Sequence, residues 1–275
     1  MTEGRTRVAR QFVKRSAAVF DYLSPPCPGV VFLIYHRVGG ASRTEIDLPA
    51  ALFDEQMAML TEQAMPVTID VALTLLAGPA PASGPTPVVV TFDDGTSDFT
   101  EMALPILQAH GVPATLYLAT EFIDESRPFP ADGRPLSWAA AADALTTGLV
   151  TIGSHTHTHS LLDRLPVHDA VADLERSVSL IHERLGVEAA HFAYPKAVVG
   201  SAGVEREIKR RFRSAALAGT RPNPYGSTDP YRVARSPIQV GDGMRWFNHK
   251  RAGGMALEDR FRKALNRRRY ADATQ

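Results

Sequence analysis

The chain has 275 residues and a mass of 29.9 kDa, with 44% apolar residues, which is enough for one large core and excludes wholesale disorder. Lys plus Arg equals Asp plus Glu at 30 each, which argues against a whole-chain electrostatic grip on nucleic acid. The single cysteine, Cys27, excludes an internal disulfide and a multi-cysteine zinc site.

Residues 1–28 read as a basic N-terminal extension in which Arg5, Arg7, Arg10, Lys14 and Arg15 interrupt short apolar pieces. No secretory h-region stands out there. The strongly apolar run at 30–35 (VVFLIY) is far below the roughly 20 residues of a membrane span. The expectation is a cytoplasmic protein without a transmembrane segment, with the inner face of an anionic membrane as a peripheral contact.

From residue 29 onward, β-rich runs alternate with helical patterns. Strands are expected at 30–35, 88–92, 114–119, 149–154, 190–194, 213–217 and 233–240, and helices near 52–63, 100–110, 138–146, 168–185 and 204–211. The helical period is clearest in 168–185, where Val171, Leu174, Val178, Ile181 and Leu185 recur and Gly186 supplies a stop. Such alternation predicts an α/β fold with a mostly parallel sheet, either open or closed into a barrel. The packed domain is expected over 29–245. Residues 246–275 read as a basic C-terminal tail carrying Lys250, Arg251, Arg260, Arg262, Lys263, Arg267, Arg268 and Arg269. It is either a solvated helical tail or a surface for anionic lipid or a phosphate-bearing substrate.

Two segments carry chemistry. In TFDDG (91–95) a buried β run ends in two carboxylates and a glycine. Adjacent residues of a strand point to opposite faces, so both carboxylates meet one site only if the chain turns there, as Gly95 allows. Paired carboxylates can divide labour between metal ligand and general base. In SHTHTH (154–159), three histidines alternate just after another strand. An extended chain would set His155 and His159 about 13 Å apart. A helical turn would bring them to about 6 Å, so His155 with His159 is the preferred ligand pair, and His157 points elsewhere. Two imidazoles and one carboxylate make a three-ligand site with open positions, the catalytic type of zinc arrangement, suited to amide or ester hydrolysis.

At these residues the chain resembles the polysaccharide deacetylase family, the NodB-homology carbohydrate esterases. TFDDG matches the family's first motif, HTHTH (155–159) the second, and FAYPK (192–196) the FAYPYG form of the third. LIYHRV (33–38), LPILQAHGVPATLYL (104–118), SLLDRL (160–165), ERLG (183–186) and YRVARSPI (231–238) support the match in the family's order. The resemblance implies a distorted (β/α) barrel of about seven parallel strands. It implies that Asp93 is the general base and that Asp94, His155 and His159 bind one divalent metal. Zinc is the first choice, with cobalt, nickel, manganese or iron also suited to the donor set. The implied reaction is removal of an acetyl group from an N-acetylated amino sugar or glycan precursor. Asp93 would deprotonate metal-bound water, and a backbone N–H near Tyr194–Lys196 would help hold the oxyanion.

Departures from the family accompany the match. Ala193, Tyr194, Pro195, Lys196 and Ala197 stand where many members have Arg-Pro-Pro-Tyr-Gly, so the arginine that orients the base is missing. Lys196 becomes a candidate for an anionic substrate group, and Arg235 a candidate substrate contact from the last strand. The late Leu-x-His motif, whose His protonates the leaving amine, has no match after residue 200. LIH at 180–182 has the letters in the wrong place, and His182 reads as solvated. His36, at the end of the first strand, is the preferred substitute, ahead of His249. Trp138 and Trp246 read as packing residues, and His110, His168 and His191 as surface or loop histidines. The function expected is a metal-dependent carbohydrate N-deacetylase. The alternatives are an amidohydrolase acting on a small non-sugar amide and a non-catalytic glycan-binding relative.

Overall fold

The computed structural model describes residues 2–260, with side chains from residue 13. Seven short runs rich in β-branched, aromatic and small residues form β1 (Gly29–Tyr35), β2 (Pro87–Phe92), β3 (Ala114–Leu118), β4 (Val150–Ser154), β5 (His191–Ala193), β6 (Ser214–Ala218) and β7 (Val233–Pro237). Each strand pairs in parallel with the next, and β7 closes on β1 with Arg235 opposite Phe32. The result is a closed, all-parallel, seven-stranded barrel. Its distortion is local, since β4 and β5 pair only at Ser154 and Phe192.

Helices α1 (Thr2–Leu23), α2 (Ala50–Gln63), α3 (Ile69–Ala77), α4 (Leu104–His110), α5 (Thr120–Asp124), α6 (Trp138–Thr146), α7 (Val167–Leu185), α8 (Ala202–Arg211) and α9 (Gly243–Arg251) surround it. A π-helical turn, Phe99–Ala103, leads into α4. The N-cap hydroxyls of Thr68, Ser137 and Ser201 hold the first turns of α3, α6 and α8. Gly186 ends α7 in the left-handed conformation at φ 69°. Among the described residues no helix is long and apolar enough to cross a membrane.

The strand period of two sorts the core into two layers. Val31, Leu33 and Tyr35 of β1 and Val88, Val90 and Phe92 of β2 pack outward under the helices. Phe32, Val89, Tyr117, Ala193, Ala216 and Val233 pack within the barrel. Gly153 makes room for the Tyr117 ring, because a Cβ at 153 would lie 2.6 Å from that ring and 2.8 Å from the His191 carbonyl oxygen. Toward the C-terminal end the lining turns polar, with Thr91, Arg235 and then Asp93. Each barrel strand falls at its expected place, but the last ends at Pro237, short of the expected 240, and gives way to a 3₁₀ turn, Val240–Asp242.

The ends of the described chain are packed rather than appended. Lys14 of α1 and Lys250 of α9 both bind the buried Asp242, at 2.6 and 2.9 Å, with Glu258 at the edge of the cluster. Ala17, Trp246 and Met255 form a small core beside it. Lys250 is therefore no part of a solvated tail, and α9 crosses the boundary expected at 245/246. Residues 261–275, with most of the expected basic tail, and the side chains of Arg5, Arg7 and Arg10 lie outside what is described.

Candidate metal centre and active site

The two adjacent carboxylates reach one site because the chain leaves the strand at once. β2 ends at Phe92, and Asp94 and Gly95 take positive φ values of 78° and 96°. The Gly95 amide donates to the Asp93 carbonyl, 3.1 Å away, closing a tight turn. A Cβ on Gly95 would come within 2.9 Å of Leu118. Only glycine satisfies both the backbone angle and the space.

The histidine pair forms by a route other than the expected helical turn. Residues 155–159 are an irregular loop after β4, with Thr156 at φ 69° and His159 at φ 58°. The loop brings the His155 and His159 rings to 4.9 Å between centroids. His157 turns away and its Nδ1 meets the Thr120 hydroxyl at 2.9 Å. Asp173 of α7 is buried and accepts the amide hydrogens of His157 and Thr158 at 2.8 and 2.9 Å, and the Thr158 hydroxyl at 2.6 Å.

Asp94, His155 and His159 offer ligand atoms that all lie within 4.8 Å of one another. Asp94 Oδ1 is 3.6 Å from His155 Nε2 and 3.3 Å from His159 Nε2. Ligands on a tetrahedral ion with bonds of about 2.1 Å stand about 3.4 Å apart, so the spacing suits one small divalent ion. The protonation states suit it too. His155 Nδ1 lies 2.8 Å from the Ala193 carbonyl, an acceptor only, so Nδ1 carries the proton and Nε2 presents its lone pair to the site. Burial pushes the His155 pKa down to about 4 against the pull of Asp93 and Asp94, so the ring is neutral near pH 7. Burial alone would raise the Asp94 pKa. The hydrogen bond from His159, with the His36, His159 and His155 imidazoles, overcomes this and holds the carboxyl far below its usual range.

Asp93 is held by Arg235. The guanidinium makes two parallel bonds to it, at 2.7 and 2.9 Å, and a third to the Thr91 hydroxyl at 2.9 Å. Its carbon lies 5.0 Å over the Tyr117 ring. Burial would raise the Asp93 pKa, but Arg235, then His155 and His36, outweigh it and hold the carboxyl below the ordinary value. Arg235 is 1% exposed, so it is not the substrate contact expected from sequence. It supplies from β7 a guanidinium that fixes Asp93, where the third motif has no arginine.

Residues 81–209 match the family model described as polysaccharide deacetylase. That match spans 129 of the 275 residues. No curated protein sequence matches it. Its fold is similar to that of solved deacetylase structures. One is IcaB from Ammonifex degensii, with a TM-score of 0.72 and 24% identity over 82% of this chain and 98% of that one. Another is the Streptococcus pyogenes deacetylase PplD in complex with acetate, with a TM-score of 0.71 and 18% identity over 82% and 98%. A third is a de-N-acetylase from Aggregatibacter actinomycetemcomitans, with a TM-score of 0.67 and 18% identity over 80% and 99%.

The other expected site residues divide. His36 follows β1 at the same end of the barrel, close enough to help lower both Asp93 and Asp94. Tyr194 does not serve the site through its amide or its ring. Its N–H donates to the Ala216 carbonyl at 3.1 Å, and its ring packs outward with Phe192, Phe212 and Val204. Two residues on, Lys196 is exposed at φ 53° and its amide has no hydrogen-bond partner among the described residues, so it is the free donor of that segment. His249 is on α9 beside Asp21 and Trp246. His182 is exposed, as expected. His191 is not a surface residue: it is 1% exposed inside the barrel, with Nδ1 2.9 Å from the Ser214 hydroxyl. Sequence reasoning missed the role of Arg235 and all of Asp173. The signal for Asp173 was a charged residue on the inward face of α7.

Proposed function

We propose that the chain is a metal-dependent hydrolase that removes the acetyl group from an N-acetylated amino sugar or glycan precursor. The observation that carries this reading is the convergence of Asp94, His155 and His159 within 4.8 Å of one another, with a separately held carboxylate, Asp93, alongside. A bound divalent ion would polarise the amide carbonyl and acidify a water molecule.

The chain's own groups perform the remaining tasks. Asp93, ionised and oriented by Arg235, accepts a proton from the attacking water. His36 returns a proton to the leaving amine, in place of the missing Leu-x-His histidine. The free amide of Lys196 donates to the developing oxyanion. Its ammonium group contacts an anionic group of the substrate, such as a phosphate. His155, fixed by the Ala193 carbonyl, keeps its ligand orientation through the cycle.

The test is metal content by elemental analysis, followed by acetate release from N-acetylglucosamine oligomers. Wild type loaded with zinc, cobalt or nickel is expected to hold about one ion per chain. His155→Ala should lose it, and Asp93→Asn should keep it while releasing no acetate. Wild type without an ion after loading refutes the metal-dependent reading. An ion without acetate release points to a non-sugar amide or to a binding role.

A further inference from the structure

The metal-ligand loop is held in an unusual shape. Thr156 and His159 are non-glycine residues in the left-handed region, at φ 69° and 58°. Such conformations are strained and persist only where surroundings enforce them. The segment between them is held by α5, whose Thr120 and Glu121 amides donate to the Thr156 and His157 carbonyls at 3.3 and 2.9 Å, and on its amide side by α7. The Asp173 carboxylate takes three donors from two consecutive residues: the amides of His157 and Thr158 and the Thr158 hydroxyl. One turn later, the buried Ser177 hydroxyl meets that of Ser154 at 2.8 Å, and the Thr156 amide donates to Ser154 Oγ at 3.2 Å. α7 thus buries two polar side chains on an otherwise apolar face, and both reach this loop.

We propose that Asp173 is a positioning residue for the metal centre, setting the His155–His159 separation by fastening the two backbone amides midway between them. A carboxylate suits this task because it only accepts, and charge-assisted bonds to backbone N–H groups are the stronger kind. The inference rests on the proposed ion site but concerns a residue outside it. Asparagine at 173 has nearly the same shape and presents an NH₂ group to one of the donors. That bond is lost and two donors face each other.

The experiment measures zinc affinity by chelator competition and the visible spectrum of the cobalt-loaded protein, for wild type, Asp173→Asn and Thr158→Val. Asp173→Asn is expected to bind zinc about 10- to 100-fold more weakly and to shift the cobalt bands, as changes behind a metal ligand do. Thr158→Val leaves both backbone amides on Asp173, removes the hydroxyl donor together with its 2.7 Å bond to Ser160 Oγ, and should weaken binding roughly 3- to 10-fold. A merely structural role for Asp173 would lower the unfolding temperature of the metal-free protein and leave zinc affinity and the cobalt spectrum unchanged. That result overturns this proposal and leaves the ion site standing. Wild type that binds no zinc overturns the ion site itself and this proposal with it. If Asp173→Asn does not fold, Thr158→Val decides, and unchanged affinity in it overturns the proposal.

Discussion

Replacing Arg235 by methionine tests the central electrostatic claim. The side chain is 1% exposed, and its partner Asp93 is 5% exposed, so bulk solvent does not replace the guanidinium. Removing one member of a buried pair strands the other charge and costs about 3–5 kcal/mol. That cost depends on pH in a defined direction. In wild type the Asp93 pKa is held below its ordinary value, so the pair stabilises the fold above the unfolded pKa and loses that contribution as pH falls through the folded one. In Arg235→Met burial is opposed only by the His155 and His36 imidazoles, so the Asp93 pKa rises and the group can escape its cost by taking a proton. Against an unfolded aspartate pKa of about 3.9, protonating Asp93 costs about 1.5 kcal/mol at pH 5. The destabilisation by Arg235→Met, measured by urea unfolding, should therefore shrink from about 3–5 kcal/mol at pH 8 to about half of that or less at pH 5. Adding Asp93→Asn to Arg235→Met should recover most of the loss at pH 8. The acid limb of the activity profile should also move to higher pH in Arg235→Met. A loss below about 1 kcal/mol, or an equal loss at both pH values, would refute the reasoning.

Other outcomes follow from single observations. The metal-free protein should lose roughly 3 kcal/mol of stability as pH falls from about 6.5 toward about 4, because the unfolded chain protonates His155 first. A stability curve in which His155→Gln leaves that window unchanged would count against this. Asp242→Ala should destabilise by about 3–5 kcal/mol, since it leaves Lys14 and Lys250 buried without their shared carboxylate. An unchanged thermal midpoint would show that α1 and α9 are not tied through this cluster. Gly153→Ala should cost about 1–3 kcal/mol, because its Cβ would meet the Tyr117 ring and the His191 carbonyl. Calorimetric unfolding within about 0.5 kcal/mol of wild type would mean that the barrel interior has slack there.

The sequence by itself determined the parts whose signal is local. Seven runs of buried strand residues and five periodic helices mark the barrel, since the alternation of burial is written every two or three to four residues. TFDDG and HTHTH mark the candidate ligands and the candidate base because each set lies within five consecutive positions. α1, α3, α5 and α9 were not picked out from the sequence: α5 is only five residues long, and the charges of α1 and α9 hid their apolar positions. The tertiary structure decided everything that joins distant segments. Arg235 lies 142 residues from Asp93, and only barrel closure between β7 and β1 brings the guanidinium under the carboxylate. Sequence matching assigned it to the substrate because no spacing rule reaches across a closing sheet. The same holds for Asp173, whose hold on the histidine loop depends on how α7 lies across the end of β4. Lys14 and Lys250 read as solvated charges in an extension and a tail, and became buried ones because helix packing put Asp242 between them. Local chemistry marked the candidate ligands. The geometry that lets them meet is a property of the closed barrel, where hydrogen bonding between strands far apart in the chain sets every distance at the site.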